Sequence, residues 1–446
     1  MKYRIKLLAL VLTLTLLSGL LCACGRGDSG NSNDTSKPTE SGNSGGNNSG
    51  KKQVTLTVWG AQEDQAMLKE MCDAYARANP QNEYTFRFGV QGEGDAGDKI
   101  LNDVMAGPDV YSFPSDRLNS FYAGGALARI GGDLEATVKA ENSPGSVESA
   151  TINVNGEDHL YAFPSTGDNC YFLYYDKSVF KDPTTLTSLD SILSVAADAG
   201  RKVHFKINDD GWYLSSFFFA DENLGYNVTY NDRMVEEKVS INYDSEGGLD
   251  VMRAIRHYIA NDAFVAQTDD SKIIAAFTPD AQGRREAAAA VSGTWTASTL
   301  KELLGDNLGV CILPTIKLNG KDVRLSGYMG YKLIGVNGYS QNKGEASRLA
   351  AWLTNEENQL KRFQTRGFGP TNKKVAAMSE VLDDPIISTV LEQAPYNRSQ
   401  KNVPNAYWTP MGSLITPLVT AKAEGRTVSD AELQGFLDAL CKQIRK

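Results

Sequence analysis

The sequence predicts an α/β protein made of two α/β units. Strand-like and helix-like segments alternate from residue 54 onward, which is the pattern of helices packed on a largely parallel sheet. The chain has 446 residues, of which 41 % are hydrophobic and 22 % charged, enough for two or three domains with sizeable cores. No internal repeat is visible, so the second unit is not a copy of the first.

The elements follow in order. Val54-Thr55-Leu56-Thr57-Val58 alternates apolar and polar side chains and predicts the first strand. Between Gln62 and Asn79, Leu68, Met71, Tyr75 and Ala76 recur at helical spacing, and Pro80 ends that helix. Tyr84 to Phe88 and Asp109 to Phe113 predict two further strands, with a helix over 96–106 between them. Ser115 is placed to cap the next helix, which carries Leu118, Phe121 and Tyr122 and stops at Gly124-Gly125. In such sheets ligands bind beyond the carboxyl ends of the strands.

Beyond residue 165 the order is less regular. Tyr171 to Tyr175, Val203 to Ile207, Ala287 to Ser292 and Leu308 to Leu313 predict strands. Helices are predicted over 213–221, 246–260 and 345–365, the last with Leu349, Trp352, Leu353 and Leu360 on one side. Ser429-Asp430-Ala431-Glu432 matches a capping box. It opens a final helix with Leu433, Phe436, Leu437 and Leu440 on one face.

The first fifty residues are of another kind. Residues 1–6 are basic, and Leu7 to Leu21 is apolar and uncharged. This is the grammar of a secretory signal, too short for a comfortable membrane span. Leu21-Cys22-Ala23-Cys24 resembles the bacterial lipobox, which predicts cleavage after residue 23 and a diacylglycerol on Cys24. That lipid would tether the protein to the outer face of a membrane. Residues 24–52 read as a flexible Gly/Ser/Asn linker, in which Arg26-Gly27-Asp28 is a chance triplet.

Charge and cysteine usage exclude several classes. Loss of the leader with Lys2, Arg4 and Lys6 takes the net charge from −9 to −12, a poor match for nucleic acid or anionic headgroups. Cys72, Cys170, Cys311 and Cys441 show no C-x-x-C spacing and are expected as buried free thiols. With only His159, His204 and His257 as imidazoles, no metal or cofactor is expected. Gly92-Glu93-Gly94-Asp95-Ala96-Gly97 is formally G-x-G-x-x-G, but its carboxylates would repel a pyrophosphate, so it reads as a βα loop. No Ser-His-Asp set, nucleophile elbow, P-loop or zinc-protease motif occurs. Paired carboxylates for glycoside cleavage meet only in the fold, so a glycoside-active enzyme stays open.

The informative residues are aromatics beside amides and acids. Trp212, Trp295 and Trp408 each follow turn-forming residues, where the wall of a cleft would lie. Trp352 sits in an apolar helix face and reads as core, and Trp59 ends the first strand with its role open. A sugar offers C–H faces that stack on flat rings and hydroxyls that need polar partners, and tryptophans rimmed by acids and amides supply both.

Five segments in order then point to a family. They are Leu56-Thr57-Val58-Trp59-Gly60; Pro108 to Phe113 with Ser115 to Leu118 and Tyr122 to Leu127; Tyr161 to Pro164 with Leu173 to Lys177; Gly293-Thr294-Trp295 with Gly309 to Pro314; and Tyr407-Trp408 before Pro417 and Ala421. Over nearly all of residues 53–446 the chain resembles the extracellular solute-binding proteins of ABC importers, in the carbohydrate group typified by the maltose-binding protein.

The resemblance implies a two-lobed periplasmic-binding-protein-like fold. Residues 53–165 and 314–372 would form one lobe, and 166–313 and 373–446 the other. A hinge would cross near Phe163–Gly167, Leu313–Thr315 and Gly369–Lys374. It implies a ligand site of Asp116 and Arg117, Gln62 and Glu63, Asp168 or Asn169, Trp212 and Tyr213, Trp295, and Tyr407 with Trp408. Phe113 stands where the family's type member has a tryptophan, so stacking there is weaker or absent. The implied function is capture of a carbohydrate by a monomeric receptor and delivery to a membrane permease, without catalysis. The same fold with a non-sugar solute is the alternative.

Overall fold

The computed structural model describes residues 51–446, apart from the side chains at 93–95. The expected signal peptide, Cys24 and residues 25–50 of the linker lie outside the described residues.

Eleven strands build two main sheets. In chain order they are β1 (Lys52–Gly60), β2 (Asn82–Val90), β3 (Val110–Pro114), β4 (Ala162–Asn169), β5 (Tyr171–Asp176), β6 (Lys202–Phe205), β7 (Phe264–Ala266), β8 (Ala287–Gly293), β9 (Leu308–Cys311), β10 (Tyr328–Val336) and β11 (Arg398–Ser399). The first sheet runs β11-β10-β3-β1-β2, with β4 also on β10; the second runs β7-β6-β8-β5-β9.

Each core follows from its sequence pattern. In β1, Val54, Leu56 and Val58 point into the first core, where the helix Gln65–Ala78 adds Leu68, Met71 and Tyr75. Strand β8 is central in its sheet and buried at all seven positions; its four consecutive alanines keep both faces apolar and thin. The final helix, Asp430–Ile444, begins with the capping box read from sequence and buries Leu433, Leu437 and Leu440.

Three readings are corrected. The sheets are mixed rather than mainly parallel: β1 is parallel to β2 and β3, whereas β10 is antiparallel to β3 and β4, and β5 to β8 and β9. The antiparallel strands are those through which the chain passes between sheets, and no crossover helix forces them parallel. The helix predicted over 345–365 is two helices, Lys343–Leu353 and Glu356–Arg366. They break where the Asn355 side chain caps the amide of Asn358 at 2.9 Å. Ser115 does not cap the helix Leu118–Ala123; its hydroxyl accepts from the Tyr331 amide at 3.2 Å and ties β3 to β10.

The sheets are joined by several crossings. Strand β4 stays in the first sheet to Asn169, and β5 begins the second at Tyr171. After β9, Leu313, Ile316, Leu318 and Leu325 pack in the core of the second sheet, so the chain rejoins the first sheet at Tyr328 rather than near residue 314. A further segment lies against β4, with the Gly167 amide donating to the Gly369 carbonyl at 2.8 Å. Gln359 clamps this segment. Its Oε1 accepts from the amides of Thr371 and Asn372, each at 2.8 Å, and its Nε2 donates to the Thr354 carbonyl at 2.8 Å and to Asn142 at 3.1 Å.

Gln359 is 1 % exposed, so Gln359→Leu leaves two buried amides without acceptors. The expected loss is roughly 2–4 kcal/mol of folding stability, read as a lower urea midpoint. A loss under about 0.5 kcal/mol, the scale of ordinary surface changes, would show that the clamp is dispensable.

Candidate functional site

A cavity of about 930 Å³ lies between the two sheets. Its walls come from loops at strand ends and from the first turns of helices. Glu63, Asp116, Arg117, Asn169, Trp212, Trp295 and Trp408 line it, all of them singled out by sequence. Gln62 is exposed beside Glu63 and is not on the wall.

Phe113, Asp168, Tyr213 and Tyr407 are buried and do not line the cavity. Phe113 points into the first core, 4.8 Å from the Phe121 ring, because strand alternation turns it away from the exposed face of β3. The Tyr407 hydroxyl bonds Ser215 at 2.8 Å and Tyr243 at 3.0 Å inside the second core. Tyr213 is likewise buried, with its hydroxyl 3.4 Å from Asp270. These three support the wall and do not present a face to the cavity.

The tryptophan wall is fixed by backbone. Trp212 sits in the first turn of the helix Gly211–Phe218, where Asp210 caps the amides of Trp212 at 2.9 Å and Tyr213 at 3.2 Å. Trp408 opens the helix Trp408–Ser413. A Cβ on Gly211 would lie 2.6 Å from Met411 Cβ and 2.8 Å from the Trp408 carbonyl, so only glycine lets these two helix starts meet. Trp295 lies over Gly293, and its ring is 5.6 Å from that of Trp212 at an interplanar angle of 40°. The Trp295 indole donates to Asp270 at 3.1 Å, which Ser292 also bonds at 2.9 Å.

Charges in the wall are paired. Lys206 lies 3.1 Å from Asp270 and 3.3 Å from Asp210. Burial alone would lower the Lys206 pKa, but the two carboxylates outweigh it and raise it. Beneath the opposite side, Arg366 holds Asp64 at 2.9 Å. Asp116 is partly open to the cavity, yet surrounding protein desolvates its carboxyl and pushes its pKa up to about 6 against the pull of Arg117, Trp408 and Gln400.

The floor carries a buried charge that sequence reading missed. Lys332, on β10, places its ammonium 4.4 Å from the Phe368 ring centre and 5.6 Å from that of Trp295. Asp168 lies below, fully buried beside Thr166, Thr294 and the Gly369 amide; burial raises its pKa and Lys332 opposes that. The available signal was a single lysine in an otherwise uncharged strand, Tyr328 to Val336. Asp270, Lys206 and Gln400 gave no such signal, since each is polar in a polar stretch.

The arrangement is a cleft between two α/β lobes, with stacking rings on one wall and hydrogen-bonding groups around them. Residues 70–389 match the model of the bacterial extracellular solute-binding protein family, and the chain belongs to that family. The galactooligosaccharide-binding protein of Bacillus subtilis (strain 168) is 23 % identical over 421 residues, covering 92 % of this chain and 91 % of the relative. The maltotriose-binding protein of Pyrococcus abyssi is 23 % identical over 294 residues, covering 65 % of this chain and 60 % of the relative. A solved structure described as being with acarbose is 30 % identical and superposes with a TM-score of 0.73, covering 88 % of this chain and 98 % of the other. The two-lobed α/β fold and the family expected from sequence are thus borne out.

The buried charges on the floor generate a test. Lys332→Met removes the ammonium that opposes burial of the fully buried Asp168 carboxyl and is expected to cost about 3 kcal/mol or more. Lys332→Met combined with Asp168→Asn removes both charges and should recover most of that loss. Denaturant unfolding of the two single variants and the double variant measures the coupling, and purely additive losses would refute it.

Proposed function

We propose that the chain is the substrate-binding component of an ABC importer, capturing an oligosaccharide outside the cell and handing it to a membrane permease. Trp212, Trp295 and Trp408 stack the C–H faces of the sugar. Asp116, Arg117, Asn169 and Glu63 meet its hydroxyls from the other side. The observation that carries this reading is the cavity itself, with three tryptophan rings and paired polar groups at the junction of two lobes. The relatives named above, which bind galactooligosaccharide and maltotriose, support a saccharide over another solute.

The mechanism is binding and closure rather than catalysis. Asp210 and Asp270 are both held by Lys206, which suits fixed hydrogen-bond acceptors better than a proton-transferring pair. Sugar that meets both walls favours the closed lobes only by its better affinity for that form. The motion is absorbed at the crossings around residues 166–170, 326–331 and 368–372. The protein acts as a monomer, without cofactor. A lipid on Cys24, after removal of residues 1–23, tethers it to the outer face of the membrane; the apolar run Leu7 to Leu21 ahead of Leu21-Cys22-Ala23-Cys24 supports this.

Residues 53–446 should show a saturable rise in melting temperature with one class of oligosaccharide. Trp295→Ala and Trp408→Ala should each weaken binding about 10-fold or more. A rise with peptides or amines and none with sugars would overturn the saccharide reading.

Affinity should depend on pH through Asp116. Its carboxyl is ionised above about pH 6 and then accepts sugar hydroxyls. Below that value the dissociation constant is expected to rise about tenfold per pH unit, measured by calorimetry between pH 7.5 and 5. Without ligand the sign for stability is the reverse. The folded state holds this proton more tightly than the unfolded chain, so the group's contribution to stability falls as pH rises from about 4 to 6.

A further inference from the structure

The segment Arg398 to Asn402 runs across the junction of the lobes and is bonded to both. Arg398 donates to the Leu224 carbonyl at 2.6 Å and the Asp221 carbonyl at 3.2 Å, with its guanidinium 4.4 Å from the Phe219 ring, all in the second lobe. Toward the first lobe, Lys401 donates to the Glu148 carbonyl at 3.0 Å, and Asn402 accepts from the Asn119 amide at 2.8 Å. The Gln400 amide is pinned to the Met329 carbonyl at 3.0 Å, next to the pairing of β11 with β10.

The Gln400 side chain is 4 % exposed and lies between two cavity residues. Its Nε2 donates to Asp116 Oδ1 at 3.0 Å, and its Oε1 accepts from Asn169 Nδ2 at 2.8 Å. The direction is forced. An ionised carboxylate only accepts, so Nε2 must face Asp116, and Oε1 is left for the amide of Asn169. Gly330 makes the room, because a Cβ there would strike Gln400 Oε1. Asn169 is the last residue of β4 before the chain crosses to the second sheet. The chain of bonds therefore runs from a crossing, through Gln400, to a carboxylate on the cavity wall.

We propose that Gln400 is a positioning residue of the ligand site, holding the Asp116 carboxylate against the crossing at Asn169 so that carboxylate orientation and lobe placement are set together. This rests on the reading of Asp116 as a sugar acceptor. Other groups also face that carboxyl: Arg117 from its own turn, the Trp408 indole from the second lobe, and the Tyr226 hydroxyl from the strand Tyr226–Tyr230. Gln400 joins that carboxyl to the crossing strand β4.

The test uses Gln400→Met, which keeps the length and removes both polar ends, with maltotriose and a galactooligosaccharide as probes. Loss of a hydrogen bond to a charged acceptor should raise the dissociation constant of the bound probe about tenfold or more. In an Asp116→Asn background the same change should add less than about twofold, because the carboxylate it positions is gone. Equal losses in the two backgrounds overturn the proposal.

A ligand-free measurement separates this proposal from the sugar reading. The Trp408 indole bonds Asp116, so tryptophan fluorescence followed from pH 4 to 8 reports that carboxyl, with Asp116→Asn as the flat control. Gln400→Met removes a donor to the ionised form and should move the midpoint up by about half a unit to one unit. A midpoint that moves while neither probe binds supports the positioning role and rejects the sugar. A midpoint that stays put rejects the positioning role, whatever binds. Should Gln400→Met fail to fold, Asn169→Ala breaks the far end of the same chain of bonds and should move the midpoint in the same direction.

Discussion

Strand β10 is hydrogen-bonded along one edge to β3 and along the other to β4, and β4 in turn carries residues 369–370 beside Thr166 and Gly167. These segments are where the polypeptide passes between its two sheets, so their mutual register sets where each wall of the cavity stands. A slip of one residue in β10 would turn Lys332 out of the floor and put Leu333 in its place. The crossings resist such a slip because Gln359 satisfies the backbone amides of Thr371 and Asn372 beyond Gly369, and Asp168 packs against Gly369 itself.

Electrostatics narrow what the cavity accepts. Asp210 and Asp270 share Lys206, Asp64 takes Arg366, and Lys332 opposes Asp168. Asp210, Asp270, Asp64 and Asp168 are thus compensated within the protein, and a ligand that brought its own full charge would disturb a pair already formed. A neutral molecule rich in hydroxyls disturbs none, since it donates to carboxylates and accepts from ammonium or guanidinium without breaking them. The net charge of −9 lies on the chain as a whole and says nothing of this local balance.

Much of the fold was legible because it rests on local pattern. Alternation marked β1, helical spacing marked the helices Gln65–Ala78 and Glu246–Ala260, and the Ser429 capping box was read directly. The three cavity tryptophans were legible because each follows turn-forming residues at the start of a helical turn. Their immediate neighbours were not. Tyr213 and Tyr407 sit one residue from a cavity tryptophan, and a step of about 100° around a helical turn was enough to bury each hydroxyl in the core. Gln400 and Asp270 were illegible for a different reason. Their roles depend on partners 284 and 25 residues away, and no local periodicity records that separation.

The rigidity of the wall has a steric origin. Trp295 lies on Gly293, and the helix starts bearing Trp212 and Trp408 meet across Gly211. In each case the ring or helix rests on backbone where a side chain would otherwise stand, so the platform cannot sink further and has little rotamer freedom left to lose when a ligand arrives. Asp270 adds the in-plane restraint on Trp295, and Asp210 the cap on the helix of Trp212, while Lys206 joins the two carboxylates. Preorganised rings stand on one wall, and a carboxylate tethered through Gln400 stands on the other. A platform fixed before a ligand arrives loses little ordering entropy on binding, which favours affinity.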